Sequence, residues 1–365
     1  MVIAFYIDEM NFRGVANSTY NFALNNEKII KNRSLIFFNK ENKSNKLEMI
    51  KKFKKKFITI PISNFEEIEN FEKKFKINYI YTQKGGERDK WVSKKIKTLV
   101  HCVYPQFLGE VHGFKYAFIS KWLSKNFSNN KLDFIPYIVD IDKTKQNLKK
   151  KLKIKKNFTT LGYHGGESSF DINFIKDAIL QTVKIRKDIF FVFLNVNKFC
   201  SHSRIKFLKG TSSERYKKKF INTCDGMIYG RSLGESFGLS CAEFSVVDKK
   251  IISYKFNRHR SHVYHTSKDI FLEYSSYKNL LNILLKFKFN RNKKYLSEYK
   301  KYNARIVMKI FEKVFLSNKP MKKITFLDYL YNLINHINMY KYYIKHKIYN
   351  HYYKFIESKL NITKA

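Results

Sequence analysis

Four cysteines, four prolines and thirteen glycines in 365 residues leave this chain short of the residues that staple, stiffen or loosen a backbone. Cys102, Cys200, Cys224 and Cys241 stand far apart with no CxxC pair. That argues against a disulfide framework or a zinc knuckle and fits a reducing compartment. So little proline and glycine excludes the collagenous and proline-rich classes. Acids are scarce as well, 30 against 72 basic residues, for a formal charge of +42. No uninterrupted apolar run reaches the roughly 18 residues of a spanning helix. The N-terminus, MVIAFYIDEM, meets Asp8 and Glu9 early and lacks a basic flank, so it reads as a buried strand and not as a signal peptide.

What is present is core-forming material. Hydrophobic residues make up 44 % and aromatics 17 %, which rules out a disordered polycation. At roughly 150 residues per domain the length suggests two domains. The charge admits two readings. One is attraction to nucleic acid or an anionic membrane surface. The other is compositional drift, since Lys, Asn, Ile, Phe and Tyr are abundant together. Basic runs such as Lys51–Lys56 and Lys149–Lys156 are scattered and form no single stripe, and no nucleic-acid module is recognisable by spacing, so nucleic acid is not an expected partner.

Short apolar runs alternate with helical stretches through the first half. Val2–Ile7, Ser34–Phe38, Phe57–Ile60, Tyr79–Thr82, Thr98–Val103 and Phe134–Val139 read as strands, with helices around Thr19–Asn25 and Asn64–Phe75 and a strand end running into a helix over Phe118–Phe127. A lysine-rich stretch, residues 142–156, reads as a basic linker, after which the rhythm restarts. Phe158–Gly162, Ile189–Val196, Ile205–Leu208, Gly226–Tyr229 and Lys250–Tyr254 read as strands, with helices over Ile172–Ile185 and Gly238–Val246. Thr211-x-x-Glu214 has the form of a capping box for a helix ending at Thr223. The fold class is therefore α/β, with domains over 1–141 and 157–275 and C-terminal helices with a Tyr/Lys-rich tail over 276–365.

That tail holds eight of the 25 tyrosines and eight lysines from Met321 onward, with Asp328 and Glu357 its only acids. Phe326, Leu330, Leu333, Ile334 and Ile337 share one helical face. The face suits a helix packed back across the domains or an interfacial helix on anionic lipid.

Glycine placement is the most informative local signal. Eight of the thirteen lie between Gly162 and Gly238, in clusters that follow expected strands and precede expected helices. Such loops let a backbone approach a diphosphate at a helix N-terminus, although the GxGxxG dinucleotide fingerprint is absent. The second cluster runs into Gly234-Glu235-Ser236-Phe237-Gly238-Leu239-Ser240-Cys241-Ala242-Glu243. Glu235 falls on the loop and Glu243 about two turns into the helix, where carboxylates can accept hydrogen bonds from sugar hydroxyls.

Glu235-Ser-Phe-Gly-Leu-x-x-x-Glu243, followed by Lys250-Ile-Ile-Ser, resembles the E-x7-E signature of retaining GT-B glycosyltransferases of the family 4 (group 1) type. Phe220-Ile-Asn-Thr-Cys-Asp225-Gly-Met-Ile resembles the segment before that signature, and Phe134-Ile-Pro136-Tyr-Ile-Val-Asp140 the end of the family's N-terminal domain. The resemblance implies two Rossmann-like domains facing across a cleft, the first on the acceptor side and the second on the nucleotide-sugar side. It implies transfer of a sugar from a nucleoside diphosphate donor to a glycan or lipid-linked acceptor with retention, no metal or other cofactor, and a cytoplasmic enzyme that can sit peripherally at the inner face of a membrane. Glu235 would contact donor-sugar hydroxyls and Glu243 the ribose, with Phe237, Gly238, Leu239 and Ser240 along the donor. The family's Arg/Lys pair is missing from Gly162-Tyr-His164-Gly165-Gly166-Glu-Ser, which leaves Arg231, then His164, as substitute cations beside Gly165 and Gly166. Arg13 and Gly14 follow the first strand near the expected cleft, and His101, ending a strand, is a catalytic candidate, with His112 behind it. Two alternatives remain open: a nucleotide-sugar epimerase or phosphorylase on the same fold, and a non-catalytic basic protein that binds nucleic acid.

Overall fold

The computed structural model describes residues 1–104, 111–141, 146–289 and 294–359, with side chains to 355 in the last helix. The chain forms two compact units, Met1–Asp140 with Glu298–Asn335, and Ile141–Ser297 with the chain from His336 onward.

The first unit is built on β1 (Val2–Ile7), α1 (Gly14–Asn25), β2 (Arg33–Asn39), α2 (Leu47–Lys54), β3 (Ile58–Ile62), α3 (Glu72–Phe75), β4 (Tyr79–Gly85), β5 (Lys97–Tyr104), β6 (Lys115–Phe118) and α4 (Lys121–Ser128). The six strands pair in parallel in the order β3-β2-β1-β4-β5-β6. β1, Val-Ile-Ala-Phe-Tyr-Ile, is an unbroken apolar run because helices cover both faces of a parallel sheet.

The second unit repeats the plan with β7 (Thr159–His164), α5 (Asn173–Ile185), β8 (Ile189–Leu194), β9 (Ile205–Leu208), α6 (Glu214–Thr223), β10 (Gly226–Ile228), β11 (Gly234–Glu235), α7 (Leu239–Val246), β12 (Lys250–Tyr254), β13 (His259–Arg260), α8 (Ser261–Tyr264), β14 (Phe271–Tyr274) and α9 (Tyr277–Lys286). Its sheet is also parallel, ordered β14-β12-β10-β7-β8-β9, while β11 and β13 make a separate two-stranded bridge. Both six-stranded orders reverse direction once, between β1 and β4 and between β7 and β10, the topological switch point where doubly wound sheets hold ligands. α10 (Ala304–Phe311) and α11 (Phe326–Lys359) complete the chain.

Several expectations need correction. Phe134–Val139 is not a strand. Only Phe134 bridges Phe118, and the buried remainder joins no strand, with Val139 N donating to Tyr302 O at 2.8 Å. The helix opened by Thr211 begins later, because Ser213 is its cap: Ser213 Oγ accepts from Tyr216 N at 3.2 Å, and Glu214 becomes the first helical residue instead of the third. Of the expected linker, residues 142–145 lie outside the described residues. The remainder is anchored at two points, with Leu148 and Ile154 buried in the second unit's core and Leu148 N donating to Thr223 Oγ1 at 2.7 Å. The C-terminal helices form no region of their own, since α9 packs on α5 in the second unit and α10 belongs to the first. The apolar row of α11 is not packed either: Leu333 and Ile337 are 51 % and 53 % exposed. Residues 360–365 of the tail lie outside the described residues.

Candidate active site

The second sheet's switch point gathers most of the residues singled out in the sequence. β7 ends at His164, followed by Gly165 and Gly166, and β10 delivers the loop that carries Arg231 and Glu235 into α7. Two glycines shape that loop. Gly234 lies at φ +77°, and a Cβ there would run into His259 O. Gly238, at φ 88°, is the N-cap of α7 and contributes no side-chain hydrogen bond to it. The glycine cap therefore supplies no side-chain acceptor to the first N–H groups of α7, which lie at the positive end of the helix dipole. Phe237 is buried beneath the turn, while Leu239 and Ser240 are partly exposed.

Glu243, 3 % exposed, lies on the inward face of α7. Lys217 Nζ donates to its Oε1 at 2.6 Å, and His164 Nε2 stands 2.9 Å from Oε2. Burial opposes ionisation, but the lysine and the histidine outweigh it and hold the carboxyl down at about 2. Lys217 also pairs with Glu214 at 2.9 Å. Burial alone would pull this lysine down, yet the two carboxylates raise it above its usual value. Ser240 Oγ ties the helix to β7 by donating to His164 O at 2.8 Å.

Glu235 accepts from Tyr229 OH at 3.0 Å and pairs with Arg231 at 3.5 Å. Burial, then the Glu235 charge, pushes the Tyr229 phenol well up, so it remains a donor. The loop is braced from outside. Asp171 accepts from Ser232 N at 2.7 Å and from Ser232 Oγ at 2.8 Å, and Asn257 Nδ2 donates to Arg231 O at 2.6 Å.

His164, Gly165, Gly166, Arg231, Glu235, Phe237, Gly238, Leu239, Ser240 and Glu243 thus belong to one end of one sheet. Arg13 and Gly14 occupy the equivalent end of the first sheet, between β1 and α1, with Arg13 exposed and 3.8 Å from Glu9. His101 is corrected to a core residue. It is fully buried, Tyr81 OH lies 2.7 Å from Nδ1, and Nε2 lies 2.8 Å from Ile135 O. The carbonyl can only accept, so Nε2 carries the proton and Nδ1 takes the phenol's hydrogen bond. Burial holds the imidazole at about 3, neutral and without a free nitrogen for catalysis. His112 Nε2 meets Lys84 Nζ at 2.9 Å.

Sequence reasoning missed Lys217, Tyr229 and Asp171. Lys217 could have been found: it lies one turn before Phe220 and Ile221, the buried residues of α6, so it is a charge on the packed face. Asp171 gave no such signal, being 61 residues away from the serine it holds. Among the described residues no group of three His, Cys, Asp or Glu side chains is placed to hold a metal ion.

Comparison with known proteins places the fold. No family model matches the chain, and no curated protein matches it by sequence. Solved structures do. A glycosyltransferase from Rickettsia africae matches with a TM-score of 0.57 at 13 % identity, over 94 % of this chain and 98 % of that one. The Anabaena protein HepE, solved with UDP and glucose, gives 0.59 at 12 % identity over 86 % and 97 %. A protein from Listeria monocytogenes described as a UDP-N-acetylglucosamine 2-epimerase gives 0.52 at 10 % identity over 89 % and 99 %. The chain has the GT-B fold of these glycosyltransferases, two Rossmann-like units each with the same strand order.

Proposed function

We propose that this protein is a glycosyltransferase that takes a sugar from a nucleoside diphosphate donor and passes it, with retention at the anomeric carbon, to a glycan or lipid-linked acceptor. The observation that carries the reading is Glu243, a buried carboxylate kept ionised by Lys217 and His164 on α7, beside the second sheet's switch point. An ionised carboxylate only accepts hydrogen bonds, so it suits ribose hydroxyls. Glu235 would accept from the hydroxyls of the donor sugar. As the bond to the sugar breaks, negative charge grows on the leaving diphosphate. The first amides of α7 and the guanidinium of Arg231 are the groups that would stabilise it, through fixed dipoles and charge. Arg231 would do the work of the missing basic pair, and no metal is assigned to the reaction.

Two measurements test this. A thermal-shift panel of nucleoside diphosphate sugars should give one that raises the melting temperature, since a ligand at a hundredfold excess over Kd adds about 2.7 kcal/mol. Arg231→Ala should slow transfer far more than it weakens nucleotide binding, because its charge partner develops in the transition state. No binding to any nucleotide sugar, or equal effects on both steps, rejects the respective assignment.

The fold shared with epimerases that act on UDP-sugars supports a second reading. Interconversion of a bound nucleotide sugar without any acceptor would select it over transfer.

A further inference from the structure

α11 is amphipathic the wrong way round for a helix serving a core. Towards the protein it presents Asp328, Asn332, Met339 and Tyr353, each no more than 6 % exposed. It is fastened there by polar bonds: Tyr277 N donates to Tyr349 OH at 2.8 Å, and Tyr353 OH donates to Asp177 at 2.9 Å. Towards solvent it presents Leu330, Leu333, Ile337, Ile344, Ile348 and Phe355, between 45 % and 65 % exposed. At about 100° per residue these six fall within an arc of about 60° and run for about 38 Å along the axis. Ile334 and Tyr352, also exposed, widen the row on one side and Tyr340 on the other. Exposed His351 falls in the same arc as its one polar member, and an apolar row of this length marks an interaction surface.

Charge says what covers it. Lys341, Lys345, Lys347 and Lys354 are exposed along the same helix. Of its two acids, Asp328 is buried, where it accepts from Thr325 N at 2.8 Å, and Glu357 lies in the last turns. A second copy of the chain would bring lysine against lysine and +42 against +42. A surface that is apolar within and anionic at its edge accommodates both features. No helix among the described residues is long and apolar enough to cross a membrane.

We infer that the outer face of α11 docks on a bilayer carrying anionic lipid, with the helix in the plane of the interface, its aliphatic row among the upper acyl chains and its lysines at the phosphates. This does not rest on the proposed reaction. The test must separate insertion from the adhesion that any strongly basic protein shows. The triple substitution Leu333→Ser, Ile337→Ser and Ile344→Ser leaves the net charge untouched. Wild type should pellet with vesicles of phosphatidylglycerol and phosphatidylcholine and not with phosphatidylcholine alone. The triple variant should partition on the order of tenfold less, with its thermal melt and any nucleotide affinity unchanged. A single Ile344→Trp variant provides a second readout, its added fluorescence over wild type quenched by brominated lipid in the anionic vesicles. Binding of the triple variant equal to wild type, no pelleting of wild type at low salt, or an introduced indole that stays unquenched overturns the inference. So does a dimer in sedimentation velocity that the same three serines dissociate, since the row would then join two copies.

Discussion

The two sheets share a strand order and treat polar groups in opposite ways. In the first unit the buried polar side chains around Gln83 and His101 form a neutral web. Gln83 bonds Ser18 at 2.9 Å, Thr19 at 3.1 Å and Tyr137 at 2.9 Å, and Tyr81 and Ile135 occupy both nitrogens of His101. In the second unit the corresponding place is charged: Glu243 with Lys217, beside His164, and Glu235 with Arg231. One web seals the core and the other sets acceptors and cations beside the N-terminus of α7. The topology therefore specifies a location, and the side chains decide whether it becomes packing or chemistry.

Acid should separate the two units most strongly. Burial holds His101, His259 and His262 at about 3, against 6.5 when unfolded. Unfolding then takes up protons below pH 6.5, so each histidine's contribution is intact above that value and is lost as pH falls towards 3, at about 1.4 kcal/mol per pH unit. His259 and His262 are in the second unit and His101 in the first. Hydrogen exchange between pH 6.5 and 4 should show the second unit losing protection with the steeper slope. Glu243 adds a later component, intact above pH 4.5 and lost as pH falls through about 2. Equal slopes in the two units would break the comparison.

Next in size is Lys217→Met, which leaves a buried carboxylate without its main partner and should cost about 3–5 kcal/mol in urea denaturation. Adding Glu243→Met should restore most of that loss. His101→Ala opens a cavity and orphans a phenol and a carbonyl, at about 2–4 kcal/mol. It should leave nucleotide affinity untouched, and a fall in affinity for the folded variant would return His101 to the site. The smallest effect is Glu243→Gln, which keeps shape and removes charge. Nucleotide binding measured by calorimetry should weaken by about 1–3 kcal/mol.

Much of this was legible along the chain. β1 and β8 are apolar runs whose ends the sequence marks to within two residues, because a strand covered on both faces must be apolar throughout. The same rule misled at Phe134–Val139: apolarity reports burial, and Ile135 and Tyr137 are buried without belonging to a ladder. β14 escaped notice because it is four residues long with an exposed Glu273 at its third position. In α11 the period was right and the side was left open, since periodicity fixes an axis of amphipathicity but cannot say which side meets protein. For the site, E-x7-E named both carboxylates, but the groups that charge and brace them come from α6, the loop before α5 and the loop after β12. Only folding brings those segments near.

The bracing of the Glu235 loop has a kinetic consequence. Asp171 holds Ser232, Asn257 holds the carbonyls of residues 231 and 232, and the β11–β13 bridge pins Gly234 to His259. A segment fastened at that many points has little freedom left to lose when a ligand arrives. Capture of a nucleotide by the second unit should therefore follow a single exponential in stopped flow, its rate linear in ligand concentration, with no slow ordering phase to cap it.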